Sequence, residues 1–146
     1  MTDSKPQPTP REAYAHFSSI ATRWADNDAY GHVNNVVYYA YFDTAVNRCL
    51  IERGLLDPAT STVIGLVVET QCTYFSSVSF PDTVHVGLKV VHLGRSSVRY
   101  ELAVFRNDEP LASAVGRFVH VYVDRASNRP TDIPAPVRAL LQELQR

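Results

Sequence analysis

Lysine is nearly absent from this chain: two lysines stand beside twelve arginines, and 146 residues hold only two cysteines, one methionine and one tryptophan. Cys49 and Cys72 are too few and too widely spaced for a disulfide framework or a zinc site, so reduced thiols and a cytoplasmic location are expected. An excess of positive charge is also lacking. Fourteen basic against fifteen acidic residues leave a net charge of -1, which argues against a nucleic-acid or membrane-surface binder working through charge. No apolar run approaches the roughly 20 residues that span a bilayer, and no early stretch joins basic residues to an apolar segment. A soluble, unexported protein without a membrane span is the expectation. Gly-rich phosphate loops, zinc motifs and the G-x-S-x-G elbow are missing as well, so no metal or bound cofactor is expected.

What is present suits one compact unit. A 45% apolar content over this length allows a single sizeable core. Residues 1–12, rich in proline and polar groups, read as a flexible tail, and 13–146 as the single domain.

Ala13 to Trp24 mixes β-branched and aromatic residues and predicts a strand, followed by a polar turn at 26–31. From Asn34 to about Arg53 there is no Gly or Pro, and Gly54 stands where a glycine closes a helix, so one long helix is predicted. It is apolar on most of its circumference and is expected to be wrapped by other structure. Beyond Pro58 the pattern alternates with period two: a strand over about 62–75, then Val84 to Val90, Val98 to Val104 and Val115 to Val123 as faces of three more. These four read as a meander, and 134–145 as a short helix with proline in its first turn. An α+β fold with an antiparallel sheet over the helix follows.

The segment Asp26-Asn27-Asp28-Ala29-Tyr30-Gly31-His32-Val33-Asn34-Asn35 gathers two carboxylates, a histidine and asparagines just before a helix N-terminus. Free N–H groups there favour a developing oxyanion, and a carboxylate beside them can attack an acyl carbonyl or activate water against it. The same residue types are ordinary turn and capping groups, with Asn34 a good N-cap, so the residues alone leave both readings open.

Asp28-Ala29-Tyr30-Gly31-His32-Val33-Asn34-Asn35, followed by Tyr38 and the aromatic helix, resembles the D-x-x-G-H-V-N-N…Y signature of hotdog-fold acyl-CoA thioesterases, in particular the 4-hydroxybenzoyl-CoA thioesterase-like branch. The resemblance spans about Ile20 to Val123 in element order. It implies a long central helix wrapped by a five-stranded antiparallel sheet, assembly into homodimers or homotetramers, and an active site at the dimer interface. It also implies hydrolysis of a fatty or aromatic acyl-CoA.

Carried over, Asp28 takes the place of the catalytic carboxylate, as nucleophile or general base, and the Asn35 N–H that of the donor to the thioester carbonyl. His32 matches a histidine that some relatives use in catalysis, though Tyr30 stands where those relatives have an asparagine. Gly31, Asn34 and Tyr38 belong to the substrate-binding segment, and Arg95 with Ser96 and Ser97 is the candidate for the phosphates and pantetheine arm of CoA. Asp26 is expected to be a solvated turn carboxylate and Asp43 a paired or interface residue on the helix. The alternative to an enzyme is a hotdog module that binds acyl-CoA or acyl carrier protein without turnover.

Overall fold

The computed structural model describes residues 5–146; residues 1–4 of the expected tail lie outside the described residues. Its elements are strands β1 (His16–Ala21), β2 (Val63–Tyr74), β3 (Thr83–Leu93), β4 (Ser97–Arg106) and β5 (Ala114–Asp124), with helices α1 (Val37–Glu52) and α2 (Ala135–Glu143). All five strands form one antiparallel sheet in the order β1-β3-β4-β5-β2. The sheet curves around α1, giving the α+β hotdog architecture that the resemblance implies.

The four later strands do not form a simple meander. β3, β4 and β5 follow one another, but β2 pairs with β5 at one edge of the sheet and β1 with β3 at the other. The reason lies in residues 75–82, which cross the start of α1 instead of turning tightly. Val78 is fully buried in the main core and accepts a hydrogen bond from the Val33 N–H at 2.7 Å. A two-residue hairpin would leave the helix N-terminus uncovered.

Valines at every second position of β3 and β4 face inward as their spacing predicts: Val84, Val86, Leu88 and Val90, then Val98, Leu102 and Val104, are buried against α1. In β5 the period is right and the direction is reversed. Val115, Val119 and Val121 are only half-buried, and Gly116, Phe118, His120 and Tyr122 occupy the inward face. A Cβ on Gly116 would lie 2.4 Å from the Phe42 ring and 2.6 Å from the Gln71 carbonyl, so this glycine is what lets the helix settle onto the sheet.

α1 is shorter than expected and is not wrapped all round. Tyr38, Tyr41, Phe42, Ala45, Val46, Cys49 and Leu50 form one buried stripe at helical spacing, while Val36, Tyr39 and Ile51 are exposed on the other side. The curved sheet covers one face only. The expected first strand is also shorter, because Trp24–Asp26 coil into a 3-10 turn. At the other end of the chain α2 buries Val137, Leu140 and Leu141, and Leu144 and Arg146 just beyond it hydrogen-bond with Val90 of β3. On the outer sheet face a smaller cluster of Tyr14, Ala103, Phe105 and Ala112 is closed by residues 9–13, with the Ala112 N–H donating to the Thr9 carbonyl at 3.0 Å.

Candidate active site

The turn that carries Asp28 is built by its own backbone. Asn27 and Val33 face each other in an antiparallel bridge, the Asp28 N–H donates to the His32 carbonyl at 2.8 Å, and Gly31 N–H donates to the Asp28 carbonyl at 3.1 Å. Gly31 closes this loop at φ +79°, a left-handed conformation that glycine adopts without strain. Inside the loop Asp28 Oδ1 accepts the Tyr30 N–H at 2.8 Å and the His32 N–H at 3.4 Å. Oδ2 has no hydrogen-bond partner among the described residues.

Asp26 anchors the loop, and it is buried to 2% exposure instead of solvated as expected. Its carboxylate accepts the Arg23 N–H at 2.8 Å, two bonds from the Arg23 guanidinium at 2.8 and 3.0 Å, and the Tyr41 hydroxyl at 3.2 Å. Burial alone would push this carboxyl upward, but the Arg23 and Tyr41 bonds outweigh it and hold the group below its ordinary value. The Asp26 carbonyl accepts the Asn34 N–H at 2.8 Å, which ties the loop to the helix start.

Asn34 is not the N-cap of α1. Its Oδ1 accepts the Val36 N–H at 3.1 Å and its carbonyl the Val37 N–H at 2.9 Å, so it closes a turn just before the helix, which begins after Val36. Asn35 lies between them. Its N–H meets no acceptor among the described residues, while its carbonyl accepts the Tyr74 hydroxyl at 2.8 Å. That phenol and the Asn34 amide oxygen together hold the peptide that follows Asn35.

Asp28, His32, Val33, Asn35 and Tyr38 line one open cavity of about 400 Å³ together with Tyr74 to Ser77 at the end of β2. The fold thus brings Asp28, His32, Asn35 and Tyr38 to a common wall. The buried Tyr38 ring stands edge-on to Tyr74 at 4.9 Å, and its hydroxyl is pushed up to about 12, mainly by burial. Tyr74 to Ser77 escaped the sequence reading, since only the β2 to β3 crossing brings them here. Arg95 and Ser96 are elsewhere, in a separate surface cavity of about 390 Å³ with Pro130, Thr131 and Asp132. Arg95 is paired there with Asp132, and Ser97 begins β4. Asp43 is exposed on α1, where its Oδ1 accepts from the Asn47 amide at 3.0 Å.

Residues 22–141 match the thioesterase-like superfamily. The chain belongs to this superfamily. It is therefore a thioester hydrolase by class. The PA5185 protein of Pseudomonas aeruginosa is 57% identical, with 95% of this chain and 97% of that one covered and a TM-score of 0.93. PA2801 of the same organism, a candidate thioesterase, is 32% identical over 88% of this chain and 98% of its own, with a TM-score of 0.80. A Thermus thermophilus thioesterase solved with coenzyme A and zinc is 30% identical over 92% and 97%, with a TM-score of 0.75.

No helix among the described residues is long and apolar enough to cross a membrane. Nor do any three His, Cys, Asp or Glu side chains among them gather as metal ligands would.

Proposed function

We propose that the protein hydrolyses fatty or aromatic acyl-CoA thioesters to free CoA and a carboxylic acid, with Asp28 as the catalytic carboxylate. The observation that carries this reading is the shared cavity wall of Asp28 and the unpartnered Asn35 N–H. The thioester carbonyl oxygen takes the Asn35 N–H as donor, and the charge that develops on it is favoured there and at the positive end of α1. Asp28 Oδ2 acts on the carbonyl carbon in one of two ways. As general base it takes a proton from water, whose oxygen bonds to the carbon. As nucleophile it bonds directly, giving a mixed anhydride that water then cleaves. In both, the carbon–sulfur bond breaks and the electron pair leaves with sulfur; the thiolate takes the proton held by Asp28 in the first route, and in the second a proton of the water that cleaves the anhydride and releases the Asp28 carboxylate. His32, exposed on the same wall, orients the reacting groups, and Gly31, Asn34 and Tyr38 shape the acyl side.

Arg95, Ser96 and Ser97 serve the phosphates and pantetheine of CoA on this reading. They stand apart from Asp28 within one chain, which fits a site completed by a second copy. Exposed Leu66, Val67 and Val68 on the open edge of β2 support pairing into a homodimer or homotetramer.

The test is thiol release from short, medium, long-chain and aromatic acyl-CoAs by the wild type and Asp28→Asn, with folding checked for both. Turnover that falls about 10²- to 10⁴-fold in the folded variant supports the proposal. Acyl-CoA binding without release in the wild type sinks it in favour of a binding module, and equal turnover by both proteins moves the carboxylate elsewhere.

A further inference from the structure

A further cavity of about 390 Å³ lies between α1 from Asp43 onward and the paired strands β2 and β5, and it shares no lining residue with the cavity of Asp28 or with that of Arg95. Tyr38 borders one, and Asp43, Asn47, Leu50 and Ile51 the other, beginning about 7.5 Å further along the helix axis. Leu50, Leu55, Leu56, Val63 and Ile64 make its walls apolar. Its polar side is formed by His120 and Tyr122, with Asp43 and Asn47 on the helix.

His120 is 2% exposed and Tyr122 3%; the Tyr122 hydroxyl faces that of Tyr100, whereas both imidazole nitrogens lack any hydrogen-bond partner among the described residues. Its ring is well packed, 4.8 Å from Phe118 and 5.7 Å from Tyr100 between centroids, so packing accounts for the ring and not for its nitrogens. Buried polar atoms in native proteins are paired, and an unpaired imidazole beside a cavity calls for a partner inside it. Gly65 keeps the strand bare at this point, since a Cβ there would stand 3.0 Å from His120 Nδ1 and 3.4 Å from the Tyr122 ring.

We propose that this cavity binds a small apolar molecule bearing one uncharged hydroxyl or carbonyl group, seated with that group against His120 and Tyr122. An anion is disfavoured, because no arginine or lysine lines the cavity and Asp43 does. A pure hydrocarbon leaves the imidazole unpaired. Burial keeps His120 uncharged by pulling it down to about 4, so it offers one N–H and one lone pair. A hydroxyl answers both, and a carbonyl answers the donor. The inference stands on this cavity alone and does not depend on thioester hydrolysis.

The experiment titrates the full chain with hexan-1-ol and phenol, and with hexanoate as the charged counterpart, by calorimetry, while NMR follows the His120 ring nitrogens. Saturable binding of a neutral probe that moves the His120 signals, with hexanoate at least about tenfold weaker, is the expected result. His120→Leu weakens neutral-probe binding by about tenfold or more and unfolds at the same or a higher temperature, since it removes an unpaired group. If that variant fails to fold, the NMR titration of the wild type decides alone. Absence of saturable binding, unmoved His120 signals, a preference for hexanoate, or undiminished binding by folded His120→Leu overturns the proposal.

Discussion

Asp28 owes its aim to short-range geometry: two N–H groups of its own loop hold one oxygen, and Gly31 lets the loop close. A Cβ at Gly31 meets nothing within 4 Å, so Gly31→Ala is penalised only through its backbone, by about 1–2 kcal/mol. We expect a lowered melting temperature and a fall in kcat larger than any rise in KM, read by thermal unfolding and steady-state kinetics. Tyr41→Phe leaves the buried Asp26 one donor short and is expected to destabilise the fold by about 1.5–3 kcal/mol in urea titrations. At this scale the sequence was most informative. Asp28, Gly31, His32 and Asn35 lie within eight residues, and a loop this short brings them together by local hydrogen bonds. Asp26 was misread because its partner Tyr41 stands fifteen positions away, across the helix start.

At the scale of elements, the contact of α1 with β5 is decided by Gly116. Gly116→Ala places a methyl group against Phe42 and a strand carbonyl, and should destabilise by about 1–3 kcal/mol in denaturant unfolding. The inward face of β5 also makes stability depend on pH. His120 titrates near 4 when folded and near 6.5 when unfolded, so the unfolded chain takes up the proton first as pH falls. Its contribution is whole above pH 6.5, is lost between 6.5 and about 4, and stays constant below. The loss is about 3 kcal/mol, at about 1.4 kcal/mol per pH unit. Asp26, and Asp82, whose burial is outweighed by bonds from the Ser79 N–H, the Asn107 amide and the Arg106 guanidinium, are both held below their ordinary value and add a further loss as pH falls through their lowered values. Unfolding measured from pH 7 to 3 should show both stages, and His120→Leu should abolish the first. Period-two spacing located β5 but misassigned its direction, since a run of valines resembles a core face more than glycine, histidine and tyrosine do.

For the whole molecule, the open features are the outer edge of β2 and the uncovered side of α1, where Leu66, Val67, Val68, Tyr39 and Ile51 meet water in one chain. If the site is completed by a second copy, Leu66→Asp with Val68→Asp gives a folded monomer with most thioester hydrolysis lost. Ultracentrifugation and thiol release check the two halves of that expectation, and an active monomer would refute it. The sequence by itself determined the class of fold, the long helix and the turn carrying the carboxylate, because spacing and local hydrogen bonding act within a few residues. Tertiary structure alone decided that β2 pairs with β5, that Tyr74 to Ser77 complete the cavity wall, that Asp26 is buried, and that His120 faces inward. Each of these rests on contacts between residues far apart in the chain, settled by how one curved sheet closes over one face of a helix.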